Sequence, residues 1–160
     1  MTTEKRIDTA TALFKEGYNC AQSVVAAWAD RYGIPQETAL RMSAGFGAGI
    51  GRMRLTCGTA CGMFMLAGLE HGATRGDDRE AKAETYRAVQ QLAARFEAEC
   101  GSLVCAELLG LRNGKHTDTQ PEARTPEYYA SRPCLRMIAT AVRLFAEHLE
   151  RTTEKENERP

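Results

Sequence analysis

Apolar residues recur every three or four positions in segment after segment of this chain, and no stretch shows the sustained alternation of a half-buried strand. The first such segment predicts a helix from Thr3 to Glu16, with Ile7, Leu13 and Phe14 apolar and Gly17 as its stop. Asn19 is a good N-cap for a second helix, Cys20 to Arg31, carrying Val24, Val25 and Trp28. Gly33 ends it, and Pro35 opens a third helix with Ala39, Leu40 and Met42 on its apolar face. Thr56 caps a fourth that runs to about Glu70, before Gly72. Asp77 and Asp78 start a long fifth helix to Glu99, with Tyr86, Val89, Ala93 and Phe96 on one face. Gly101 stops it, and Ser102 caps a short helix, Leu103 to Leu109. Pro133 stands at the first position of the last helix, where Met137, Ile138, Ala141, Val142, Phe145 and Leu149 form an apolar stripe ending at Arg151.

Two stretches break this periodicity. Residues 43–54, SAGFGAGIGRMR, place Gly45, Gly47, Gly49 and Gly51 at alternate positions, which no ordinary helix tolerates, so a tight loop is expected. Gly110 to Arg132 is polar and irregular, too long for a simple connector, and reads as a lid-like loop or an insertion. With no internal repeat and no linker, the expectation is one all-α domain over residues 1–152. It is a compact bundle of six to seven helices with a Gly-rich loop, followed by a disordered tail at 153–160.

Composition narrows the function. The chain has 160 residues, 43% of them hydrophobic, enough for one modest core. Its 21 basic and 21 acidic residues cancel, so neither nucleic acid nor a membrane surface is an electrostatically favoured partner. There is no apolar run long enough to enter a membrane, and the charged start MTTEKRIDTATALFKEG is unlike a signal peptide, so a cytoplasmic protein is expected. Six cysteines in that setting point to thiolate chemistry or metal binding rather than structural disulfides.

Where the cysteines fall is the most informative feature. Cys20 follows Asn19, Cys57 follows Thr56, Cys105 lies three residues after Ser102, and Cys134 follows Pro133. Each stands in the first turn of a predicted helix, where free N–H groups and a partial positive charge lower a thiol pKa and stabilise anions. If the four ends converge, they make a site for a thiolate-rich, anionic object. Gly58 and Gly62 share a face, and without side chains there another backbone can approach Cys57 closely. Cys61, one turn beyond Cys57, could reach the same site as an additional thiol or pack beneath it. Cys100, at a helix C-terminus, is read as structural. Around these, the N–H groups of Gly47, Gly49 and Gly51 could face cluster sulfurs, and Arg52 and Arg54 could offset negative charge. His71, His116 and His148 are expected at the surface or in caps.

These residues resemble a known family. Gly17-Tyr18-Asn19-Cys20-Ala21-Gln22, then Gly45-Phe46-Gly47-Ala48-Gly49-Ile50-Gly51-Arg52-Met53, then Cys57-Gly58-Thr59-Ala60-Cys61-Gly62, then Gly101 to Gly110 around Cys105, and finally Cys134 resemble the C_GCAxxG_C_C family of small bacterial and archaeal redox-active proteins. Thr59 stands where that family usually has alanine. The resemblance implies that Cys20, Cys57, Cys105 and Cys134 are the signature cysteines, and that Cys61 and Cys100 are additions. The family is similar in part to split-Soret cytochromes, but this chain has no Cys-x-x-Cys-His for covalent haem.

Three readings follow. In the first, the four cysteines hold an iron–sulfur cluster, [2Fe–2S] or [4Fe–4S], and pass electrons to a partner the sequence does not name. In the second, thiols at two helix starts form a redox disulfide without metal. In the third, the chain is a zinc or copper module. A homodimer is compatible with each.

Overall fold

The structure is a computed structural model that describes residues 1–111 and 118–158; among these it is all-α, with eight α-helices and no strand. The helices are α1 (Thr3–Lys15), α2 (Cys20–Ala26), α3 (Gln36–Ala44), α4 (Gly58–His71), α5 (Arg79–Cys100), α6 (Cys105–Leu108), α7 (Pro126–Ser131) and α8 (Cys134–Asn157). His116 lies outside the described residues.

Helix α4 is the axis of the fold. It is apolar on nearly every side, burying Ala60, Cys61, Met63, Leu66 and Ala67, and a helix of that kind must be enclosed. α2, α5 and α8 enclose it, α1 lies on α8 and α2, and α3 folds back on α2. Phe96 from α5 and Ile138 and Phe145 from α8 fill the centre. The close packing of α2 on α4 depends on Gly62. A Cβ there would lie 3.0 Å from Val24 Cβ and 3.1 Å from the Ala21 carbonyl oxygen.

Several boundaries differ from the pattern's expectations, each for a local reason. α2 stops at Ala26 instead of reaching Arg31, because the hydrogen bonding tightens to i→i−3 at Trp28 and a 3-10 turn follows over Ala29–Tyr32. That turn sets the Trp28 ring edge-on against Phe145 at 4.9 Å and places Asp30 against Arg6, whose guanidinium lies over Trp28. On α5 the buried row is Ala88, Leu92 and Phe96, so Tyr86 falls outside that row and is 63% exposed. The irregular stretch before Cys134 contains a short helix, α7, with Pro126 in its first turn and the Thr125 hydroxyl accepting from the Tyr128 N–H. α8 continues through Asn157, so residues 153–157 of the expected tail are helical, with the Thr152 and Thr153 hydroxyls donating to the carbonyls one turn back. Residues 159–160 lie outside the described residues.

Two of the histidines meet instead of standing apart at the surface. His71, the last residue of α4, and His148 on α8 approach to 2.7 Å between their Nε2 atoms. Burial pushes the His148 pKa below its ordinary value and the neighbouring His71 adds to this, with Glu70 and Glu84 acting in the opposite sense.

Two outcomes test this packing. Gly62→Val should lower unfolding free energy by about 1–3 kcal/mol, the usual consequence of overfilling a packed contact, read as a shift in urea midpoint. Because the folded state holds His148 neutral, unfolding takes up a proton, and stability falls as pH drops through the unfolded histidine value of about 6.5 towards the lower folded value. Urea midpoints from pH 7.5 to 5.5 should therefore decline less steeply for His148→Gln than for the wild type.

Candidate functional site

Cys20, Cys57, Cys105 and Cys134 all line one cavity of about 330 Å³, each from the start of a different helix. Cys20 is the first residue of α2. It is set there by a capping box in which Asn19 Oδ1 accepts from the Gln22 N–H and Gln22 Oε1 accepts from the Asn19 N–H, both at 3.0 Å. The same two side chains donate to the carbonyls of Ala44 and Leu40, fastening the start of α2 to α3. Cys134 is the first residue of α8, where the Pro133 carbonyl accepts from the Met137 N–H.

Cys57 and Cys105 are held as a pair. An isolated antiparallel bridge joins Thr56 to Val104, and on its two sides the Cys57 N–H donates to the Leu103 carbonyl at 2.7 Å and the Cys105 N–H to the Leu55 carbonyl at 2.6 Å. This displaces two expected caps. Thr56 is engaged in the bridge, so Cys57 itself is the N-cap residue of α4. Ser102 Oγ accepts from the Val104 N–H, and the helix that follows is only Cys105–Leu108.

The Gly-rich loop forms a left-handed turn. Ala48, Gly49, Ile50, Gly51 and Arg52 all have positive φ, as does Arg54. Each non-glycine residue there costs roughly 1–2 kcal/mol, and Ile50, β-branched at φ 62°, is the most strained in kind. Hydrogen bonds from the Gly51 N–H to the Gly45 carbonyl and from the Leu55 N–H to the Gly49 carbonyl hold the turn. The N–H groups of Gly47 and Gly51, expected to face sulfur, are instead directed at the Ala44 and Gly45 carbonyls. The glycines serve the site by omission. A Cβ on Gly58 would sit 2.6 Å from Cys20 Sγ and from the Phe46 carbonyl, one on Gly49 2.6 Å from Cys105 Cβ, and one on Gly47 within 2.6 Å of the Asn19 side chain.

The turn delivers two arginines to the cavity wall. Arg54, one of the two arginines read as able to offset negative charge, keeps only 4% of its side chain exposed; its Nη1 lies 3.8 Å from Cys105 Sγ, and its Nε is buried without a hydrogen-bond partner. Thr59 Oγ1, also on the wall, is buried and unpartnered. Arg52, Arg54 and Arg132 all reach Glu122, and Arg52 also donates to the Asp118 carbonyl at 2.9 Å. Arg124 lies over Phe14 and Tyr128 while donating to the Phe14 and Tyr18 carbonyls. So the described part of the 110–132 stretch covers the cavity, and Glu122, Arg124, Arg132 and Thr59 are site residues the sequence reading missed. Alternating glycines beside an Arg-x-Arg pair were the available signal for a placed arginine; nothing in the sequence singled out Glu122.

Burial outweighs the helix ends in setting thiol acidity. It pushes the Cys57 thiol strongly upward, helped by the nearby Cys20, while the N–H groups of Ala60 and Thr59 oppose it without prevailing. The same cause raises Cys134 to about 12 and Cys61 to about 11. Cys105 is raised too, with Arg54 holding it back. Cys61 is buried behind the cavity, its Sγ 3.8 Å from the Thr56 carbonyl oxygen, and Cys100 sits at the end of α5, outside the cavity lining. Among the described residues, no three His, Cys, Asp or Glu side chains are arranged to hold a metal ion.

An all-α, cysteine-rich redox-active protein is the class that this fold and site define. A family model described as "Putative redox-active protein (C_GCAxxG_C_C)" matches residues 18–148, and the chain belongs to that family. A search of curated proteins and a search of solved structures each returned no match.

The thiol acidities are directly checkable. In reduced, metal-free protein at pH 8, iodoacetamide should label Cys134 at least about a hundredfold more slowly than free cysteine, with the rate still rising above pH 10, as peptide mass spectrometry resolves.

Proposed function

We propose that the protein is an electron carrier whose Cys20, Cys57, Cys105 and Cys134 hold an iron–sulfur cluster. The observation that carries this reading is the meeting of four thiols, from the starts of α2, α4, α6 and α8, around one cavity with a buried arginine in its wall. Four cysteine thiolates are the ordinary ligand set for [2Fe–2S] and [4Fe–4S] centres. A single zinc or copper ion needs its ligands drawn tightly together, and no such grouping exists among the described residues. A cluster is larger than a single ion, and the cavity that the four cysteines line is about 330 Å³.

The buried Arg54 Nε and Thr59 Oγ1 fit the same group, since both are donors on residues that line the cavity with the four cysteines. The absence of side chains at Gly49 and Gly58 leaves room for it. When bound, such a centre supplies a one-electron couple. The chain's own part is to exclude water, hold the four sulfurs from rigid helix starts and balance the negative charge with Arg54 and Arg132. A thiol–disulfide mechanism finds less support, because it needs acidic thiolates and burial drives these thiols the other way.

Protein purified anaerobically should contain stoichiometric iron and acid-labile sulfide. Alanine at Cys20, Cys57, Cys105 or Cys134 should abolish both while far-UV circular dichroism stays helical, and Cys100→Ser should leave both unchanged. Folded wild-type protein without iron, or with zinc and no sulfide, overturns the cluster.

A further inference from the structure

Three guanidinium groups on this cavity share a single carboxylate that is not firmly buried. Side-chain exposure is 12% for Arg52, 4% for Arg54 and 16% for Arg132, yet Glu122, on which all three converge, is 45% exposed. Arg52 lies 3.4 Å and Arg54 3.8 Å from Glu122 Oε1. Buried cations need a counter-charge; Arg52 also pairs with the Asp118 carboxylate at 3.5 Å, so two largely exposed carboxylates stand against three arginines and leave an excess of one. Arg54 Nε, buried with no partner on the cavity wall, adds a donor with nothing to accept from it. The backbone strain of the left-handed turn falls on the very residues that supply Arg52 and Arg54, a pattern expected where strain serves a site. Phe14, Leu108, Leu109, Tyr128 and Met137 form an apolar part of the wall.

We propose that the cavity is a binding site for a small organic carboxylate with a compact apolar body, its carboxylate taking the place of Glu122 between Arg52, Arg54 and Arg132. Glu122 is the internal stand-in for that ligand: the same functional group, planar and able to accept from paired guanidinium N–H groups. Its exposure and its position on the covering segment let it swing out as the ligand enters. The apolar walls receive the body of the acid beside the four cysteines. The binding does not depend on the cluster reading.

The test is calorimetric titration of the full chain, as purified anaerobically and again after iron removal, with benzoate and separately with sulfate. Benzoate should bind saturably. Glu122→Gln should bind it about three- to fivefold more tightly, since a partly exposed ion pair no longer competes. Arg132→Met should bind it about tenfold more weakly, the usual loss on removing a charge-assisted partner. Circular dichroism on each variant confirms folding. Equal affinity in the wild type and Glu122→Gln, undiminished affinity in Arg132→Met, or sulfate binding as well as benzoate would each overturn the site. Iron and sulfide measured on the same samples separate the two readings. Benzoate binding without iron sinks the cluster alone, and a loaded centre without benzoate binding sinks this site alone.

Discussion

The whole arrangement rests on one close approach, α2 against α4 at Gly58 and Gly62. Any side chain at Gly58 would collide with Cys20 Sγ and with the Phe46 carbonyl, and one at Gly62 would press on Val24 and the Ala21 backbone. These two absences let the start of α2 meet the start of α4, and the other parts follow from that meeting. The glycine turn fills the remaining angle between them, and the Thr56–Val104 bridge brings in the third cysteine-bearing segment. α8 then completes the enclosure by packing on α4 and α1. Glycine lowers helix stability by about 1 kcal/mol relative to alanine, and here it is offset by the packing of a helix that is buried along most of its length.

The second governing fact is that the cavity is dry enough for desolvation to dominate its electrostatics. Helix starts do present N–H groups to sulfur, as at Cys57, but a partial charge at a helix end is worth at most about 2 kcal/mol. Removing water from a thiolate costs more, so the Cys57, Cys105 and Cys134 thiols are shifted upward despite their helix starts. Arg54 supplies a full opposing charge, lying 3.8 Å from Cys105 Sγ, and the run of left-handed residues carries it to the wall.

Much of this was legible in the sequence. Period-3.6 patterning gave the helices, and the Asn19–Gln22 box and the glycine after each segment gave most of their ends. The expectation that Gly58 and Gly62 admit a neighbouring helix matches the observed contacts with Cys20 and Val24. What stayed hidden was non-local. The cap at Thr56 was misplaced because its backbone pairs with Val104, far along the chain, and pairings of that kind leave no mark on local spacing. Glu122 and Arg132 looked like loop polarity, because their meaning lies in one another and in Arg54. The sign of the thiol shifts was misjudged for the same reason: a helix start can be read locally, but burial depends on everything packed around it.

Cys20 opens the second helix and Cys134 opens the last, so the cavity draws its walls from both ends of the chain. During synthesis, at roughly 5–20 residues per second, the first cysteine therefore waits on the order of ten seconds for the fourth to be made. Through that interval Cys20, Cys57 and Cys105 can be produced and even partly folded, but the enclosing helix does not yet exist. Docking of α8 is thus the committing event in maturation, and a nascent chain is exposed to stray metals and oxidants at the stage when its thiols are least protected. In a protein built in this way the thiol-lined cavity exists only once the last helix has docked, as a property of the finished fold and not of the emerging peptide.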